Sequence, residues 1–243
     1  MFKRLNLSGN ALKIIACISM LIDHVGLMFF PRVLFIRYIG RLAFPIFAFL
    51  ISEGCRYTKN KLRYFLSVFL LGAVCQIAYT IAYPSSIYLG ILIAFSFSIL
   101  IIYSLELVKK SLIEKSKLHV KILSILLFLS LIVLCYALTI KVDVDYGFIG
   151  IMLPVICSLF DFRRIKGVEK LDKLIYRKIC FIVGVTLYVL LSEMYYFTAY
   201  SLFAIPLILL YNGGRGKLKL KYFFYAFYPT HLLLLEGLYL IIN

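Results

Sequence analysis

Ionisable side chains are scarce in the apolar stretches of this 243-residue chain, and those present are of types that move protons or hold charge. They are Asp23, His24, Arg37, Arg41, His231 and Glu236, with Glu53 and Glu193 at the ends of apolar runs. In hydrocarbon each such group is costly, which makes it a site candidate by default. His24 suits general-base work, because an unperturbed imidazole titrates at about 6.5. Arg37 and Arg41 stand four apart and so face the same way along a helix. A planar guanidinium fork holds carboxylates, phosphates or a developing oxyanion. Asp23 or Glu236 can pair with Arg41 and offset its desolvation. Pro45 has no N–H, so the Arg41 carbonyl loses its helical donor and needs a polar neighbour. Asp23 and His24 project about 100° apart on a helix, which leaves the partner that orients the imidazole open between Asp23 and Glu236.

The elements that must carry these groups follow from composition. Hydrophobic residues make up 63% and charged residues 16%, and the mean hydropathy is +0.99. A soluble monomer of this length cannot hide that much apolar surface, and a disordered chain does not carry it. The expected fold is all-α, a polytopic membrane bundle forming a single domain over 1–243. Apolar runs near the length a helix needs to cross about 30 Å of hydrocarbon lie at Ala11–Phe30, Val33–Ser52, Tyr64–Tyr83, Ile87–Leu105, Ile122–Ile140 and Tyr222–Ile242. Tyr146–Phe160, Ile179–Leu191 and Ala199–Tyr211 are shorter, giving nine candidate spans. Counted at about 1.5 Å per residue from the span ends, His24 and Glu236 lie about 9 Å deep, Arg41 about 12 Å and His231 about 16 Å.

The charges agree with this arrangement. Of 27 Lys and Arg, all but Arg32, Arg37, Arg41 and Lys141 fall in alternate connections or at their mouths: Lys3, Arg4 and Lys13; Arg56–Arg63; Lys109–Lys121; Arg163–Lys178; Arg215–Lys221. Basic alternate loops place the N-terminus on the cytoplasmic side. The net charge of +16 is then a topology signal spread over short loops, not a basic stripe interleaved with aromatics, and the expectation is no nucleic-acid partner. Asp23-His24 interrupts the first apolar run, so it does not read as a cleavable signal peptide. The six cysteines show neither paired spacing nor a Cys/His cluster, so no metal site is expected. No two-fold internal echo is present, which weighs against an inverted-repeat transporter.

The strings LSGNALKIIACISMLIDHVGLMFFP and IRYIGRLAFPIFAFLISEGCRYTKN resemble the start of the TraX family of bacterial membrane proteins. The resemblance rests on Ile22-Asp23-His24-Val25-Gly26, Gly40-Arg41-Leu42-Ala43-Phe44-Pro45 and Ser52-Glu53-Gly54. Tyr211-Asn212-Gly213 and the run Tyr222 to Leu233, containing Tyr228-Pro229-Thr230-His231, match its closing signature. The resemblance implies a multi-pass acetyltransferase of the bacterial cytoplasmic membrane, similar to the acyltransferase-3 group, with acetyl-CoA as donor. The family takes its name from the protein that acetylates the N-terminus of F-type pilin. The acceptor expected here is a peptide or a glycan, and the lipid bilayer is the surrounding partner.

Carried onto this chain, His24 is the catalytic histidine, with Asp23 beside it and Arg41 as the site arginine. The expected substrate-binding set is Arg37, Glu53, Tyr228, His231 and Glu236. The expected acetyl-CoA contacts are Arg163, Arg164 and Lys166 in a basic connection. The competing reading is a proton- or anion-coupled small transporter using the same Asp-His-Arg cluster.

Overall fold

The structure is a computed structural model that describes residues 6–82, 88–192, 194–217 and 220–242, the side chains of 82, 221 and 222 excepted. Expectations resting on Lys3, Arg4, Glu193, Lys219 and the Lys221 and Tyr222 side chains, and on the span ends at Tyr83 and Ile87, lie outside the described residues. The described residues are all-α apart from two two-residue strands. Its helices are α1 (Gly9–Phe29), α2 (Leu34–Gly40), α3 (Ala43–Tyr57), α4 (Lys61–Ala82), α5 (Ile91–Ile113), α6 (Leu118–Lys141), α7 (Gly147–Cys157), α8 (Leu174–Leu191), α9 (Tyr195–Thr198), α10 (Ala204–Leu209) and α11 (Lys221–Ile242). The strands are β1 (Tyr88–Leu89) and β2 (Asp143–Val144).

Seven helical segments among the described residues are long and apolar enough to cross a membrane: Gly9–Phe29, Leu34–Tyr57, Lys61–Ile81, Ile91–Ile113, Leu118–Lys141, Leu174–Leu191 and Phe223–Ile242. The chain is therefore a multi-pass membrane protein. Of the three segments expected to be short, Ile179–Leu191 gains a turn and more at its start, because Leu174, Ile175 and Tyr176 continue the apolar helix past Arg177. The other two remain short, at Gly147–Cys157 and Tyr195–Leu209. Among the described residues helix length alone thus gives seven spans, and the expected count of nine is not confirmed.

The chain divides into two compact units, Met1–Leu50 with Val185–Asn243, and Ile51–Gly184. In the first, α1 packs against α2 and α11. Ser8 caps α1, its hydroxyl accepting from the Ala11 N–H at 3.3 Å. The Gly9 and Asn10 amides donate to the carbonyls of Gly214 and Arg215 at 2.8 and 2.9 Å, so the leading amides of α1 are all taken. The packing of α2 on α1 depends on two glycines. A methyl group on Gly26 would meet the Ile36 side chain, and one on Gly40 would run into Asp23. Small residues that let helices approach this closely are how membrane bundles pack.

The expected single span Val33–Ser52 is broken at Arg41-Leu42 into α2 and α3. Pro45 then falls in the first turn of α3, where its missing N–H costs no helical bond. Ser201 supplies the polar neighbour that the Arg41 carbonyl requires, its hydroxyl donating at 3.2 Å.

In the second unit α5 is the core helix. Over half of its apolar window is buried, against 11% for α4 and α6, which turn rows of Leu and Ile outward as lipid-facing surface. Short α7 lies along α5, and Ser98 donates across to the Ile151 carbonyl at 2.7 Å. At one end β2, just before α7, pairs in parallel with β1, just before α5. At the other end Lys109, near the close of α5, donates to the Ser158 carbonyl at 2.8 Å. Eleven helical residues, about 16 Å, with brief non-helical flanks thus run from one end of α5 to the other.

Candidate functional site

In the first unit Asp23, Arg37 and Arg41 form one cluster and His24 and His231 a second, the two joined along α1 by the adjacent positions of Asp23 and His24. Asp23 accepts from Arg41 Nη2 at 2.5 Å and lies 3.7 Å from Arg37 Nε. Both arginines thus converge on one carboxylate, as their four-residue spacing requires. They also share an aromatic face. The guanidinium carbons of Arg41 and Arg37 lie 4.4 and 5.1 Å from the ring centroid of Phe197. Phe197 is held by Tyr38, which meets it edge-on at 5.8 Å and stacks on Tyr200 at 4.0 Å. The acid that pairs Arg41 is therefore Asp23, on the neighbouring helix.

His24 is oriented by neither of the two acids. Its Nδ1 lies 2.8 Å from the Met20 carbonyl, one turn back on the same helix. A carbonyl only accepts, so this bond places the ring proton on Nδ1 and makes Nε2 the basic nitrogen. His231 repeats the arrangement on α11, with Nδ1 2.7 Å from the Phe227 carbonyl. The two imidazoles meet edge to face with centroids 5.1 Å apart. His231 is 4% exposed, stacks on Phe227 at 4.8 Å and meets Tyr228 edge-on at 5.8 Å.

His231 was expected nearer the midplane than His24. That depth was counted from Ile242 as though both helices ended level. Phe29 faces Tyr239 at 6.1 Å, so α11 continues past the end of α1 and the two histidines come level enough to touch. Glu236, half-buried, lies between His231 and Tyr239 along α11.

The remaining candidates are in the second unit. Glu53, 4% exposed, pairs with Arg177 at 3.0 Å. Arg164 pairs with Glu106 at 3.1 Å and donates to the Thr58 carbonyl. Arg163 lies over the Tyr57 ring at 4.4 Å, and Lys166 is exposed. Around them, Arg56 bridges Asp161 and Asp172, and Lys61 pairs with Glu106 at 2.9 Å. Burial pushes the Asp172 carboxyl up, but hydrogen bonds from Arg56 and the Phe162 N–H, with the charge of Arg177, outweigh it and hold Asp172 below the usual carboxylate range.

Residue-type reasoning missed Phe197, Ser201, Gly40 as a spacer, and the Met20 and Phe227 carbonyls. Phe197 sits in the aromatic run Tyr195-Tyr196-Phe197, which has no charge or spacing to separate it from ordinary apolar filling.

Comparison with known proteins adds three findings. The TraX protein family matches residues 8–239. An uncharacterized protein of Rickettsia prowazekii (strain Madrid E) is 31% identical over 141 residues, 58% of this chain and 55% of that protein. A probable fimbrial assembly protein, FimC of serogroup H1, from Dichelobacter nodosus is 31% identical over 84 residues, 33% of this chain and 34% of that protein. The chain thus matches about half the length of the first relative and a third of the second. No solved structure matches.

Proposed function

We propose that this chain, which belongs to the TraX family, is a membrane-embedded acetyltransferase that moves an acetyl group from acetyl-CoA to a peptide N-terminus or a glycan hydroxyl or amine. The observation that carries the reading is the His24 imidazole, fixed by Met20 with Nε2 as its basic nitrogen, one residue from the carboxylate that holds Arg41. Acyl transfer from a thioester needs a base for the attacking nucleophile and fixed positive charge for the tetrahedral oxyanion. His24 Nε2 takes the acceptor's proton as the new bond to the acetyl carbon forms. Arg41, with Arg37 beside it, holds the thioester oxygen as it gains charge. Asp23 and Phe197 fix the two guanidinium groups beforehand, so little reorganisation accompanies the step. When the carbon–sulfur bond breaks, the protonated His24 returns its proton to the CoA thiolate.

The N-terminus is cytoplasmic in this reading and the membrane is the bacterial cytoplasmic membrane. Acetyl-CoA approaches from the basic cytoplasmic side, where exposed Arg163 and Lys166 are the better placed of the expected phosphate contacts, since Arg164 is engaged by Glu106. The fimbrial-assembly relative favours a surface peptide as acceptor. The test is mass spectrometry of surface peptides and glycans from cells with and without this gene. An acetyl group lost with the gene and restored by the wild-type chain but not by His24→Ala supports the reading. Identical acetylation in all strains contradicts it.

A further inference from the structure

Two imidazoles meet in this site, and the transfer step draws on one. Both donate Nδ1–H to the carbonyl one turn back, so both turn the same nitrogen, Nε2, into an acceptor. The Nε2 of His231 is buried and has no hydrogen-bond partner among the described residues. A buried polar atom left in that state costs free energy unless something meets it. The ring has no freedom to turn away: the Phe227 carbonyl holds one edge, the Phe227 ring covers one face, and the His24 ring packs against it at 5.1 Å. The charged and titratable groups beside the pair on the elements that carry it are Asp23 on α1, to which Arg37 of α2 and Arg41 just after α2 are paired, and Tyr228 and Glu236 on α11. Asp23 is held by the arginines, its Oδ2 accepting from Arg41 and its Oδ1 lying 3.7 Å from Arg37 Nε.

We propose that His231 is a second catalytic base, whose Nε2 takes a proton from an ammonium acceptor before His24 acts. The inference rests on the acetyltransferase reading. An amine presented as R–NH3+ must lose two protons. The first passes to His231 Nε2 and frees the nitrogen lone pair. The nitrogen then bonds to the acetyl carbon, the carbon–sulfur bond breaks with its electron pair leaving on CoA sulfur, and the second proton passes to His24 Nε2. His24 returns that proton to the thiolate, and His231 releases the first to solvent. The sum is R–NH3+ plus acetyl-CoA giving R–NH–acetyl, CoA thiol and one proton. A hydroxyl acceptor loses a single proton and leaves His231 idle.

The experiment uses the full-length protein in lipid vesicles with acetyl-CoA labelled in the acetyl group. Two acceptors are compared: a short peptide with a free α-amino group, and the same peptide with its first residue replaced by the matching α-hydroxy acid. The variants are His231→Asn, whose side-chain N–H can still reach the Phe227 carbonyl, and His231→Gln, with His24→Ala alongside. An α-amino group titrates at about 7.7–8.0. Losing His231 should therefore slow amine acetylation about tenfold at neutral pH, where roughly a tenth of the amine is free, and less than about twofold at pH 9. Both variants should slow transfer to the hydroxy peptide less than amine transfer at neutral pH, and by a factor that does not change with pH, while His24→Ala loses both activities at every pH. A defect that does not shrink with rising pH, or equal loss on both acceptors, overturns the role of His231 while the acetyltransferase reading stands. Wild-type transfer to the hydroxy peptide alone does the same. Transfer to neither acceptor by the wild type overturns both.

Discussion

Residue chemistry at the site is decided by which atoms are already engaged. Met20 settles the tautomer of His24, and Asp23 settles where the Arg41 fork points. Arg41 carries out two geometric tasks at once, a 2.5 Å hydrogen bond to Asp23 and a cation–π contact with its guanidinium carbon 4.4 Å from the Phe197 ring centroid. A lysine keeps the charge but has neither the fork nor the flat face. Arg41→Lys should therefore cost at least about tenfold in transfer rate, read as acetyl transfer by protein that folds normally. Equal rates would mean that charge alone matters. Asp23, His24, Arg37 and Arg41 were legible because ionisable groups stand out in an apolar chain. Phe197 was not, since an aromatic residue among Tyr195, Tyr196 and Tyr200 carries no such mark.

Among the elements, close approach between helices sets the site. Gly40 is the point where α2 comes near enough to α1 for Asp23 and Arg41 to meet. Gly40→Ala places a methyl group into the Asp23 side chain, an overpacking that costs about 1–3 kcal/mol. It should lower the thermal midpoint and also reduce transfer by displacing the Asp23 carboxylate. A variant as stable and active as the wild type would show that α2 can yield freely. The need to satisfy the Arg41 carbonyl was legible from Pro45, while its donor, Ser201, was not, because nothing in the sequence joins positions 160 residues apart. Depth along α11 was misjudged for a related reason: counting residues gives height only if helix ends are level, and side-chain pairs such as Phe29–Tyr239 decide that. Apolar runs gave the long helices well. They also gave α7 and Tyr195–Leu209 as short segments, and short helices are found there.

At the scale of the whole molecule, charge is sorted between a small cluster in the first unit and a larger ion-pair network in the second. Glu53 and Arg177 form a buried pair, 4% and 2% exposed. Removing one partner leaves a charge with its main compensation gone, so Glu53→Ala should destabilise by about 3–5 kcal/mol, while the double change Glu53→Gln with Arg177→Met should cost much less. Thermal unfolding in detergent checks both, and a Glu53→Ala protein as stable as the wild type but inactive would return Glu53 to the substrate. The same network predicts an acid limb. Asp172 titrates lower folded than unfolded, where its value is about 3.9, so its stabilisation is complete above that value and is lost as the pH falls through the lower folded value. Asp172→Asn should flatten the acid side of the curve of thermal midpoint against pH; an unchanged curve would place the acid sensitivity elsewhere. The basic excess was legible in the sequence as loop alternation, yet the partners of Arg56, Arg164 and Arg177 were not, because all three read as loop charges and fold inward onto acids far along the chain. The most direct test of the central claim is thioester cleavage. Wild-type protein in lipid vesicles, given labelled acetyl-CoA and a surface-peptide acceptor, should release CoA thiol in step with acceptor acetylation, and His24→Ala should do neither while still folding. Full activity in His24→Ala, or no thiol release by the wild type, would contradict it.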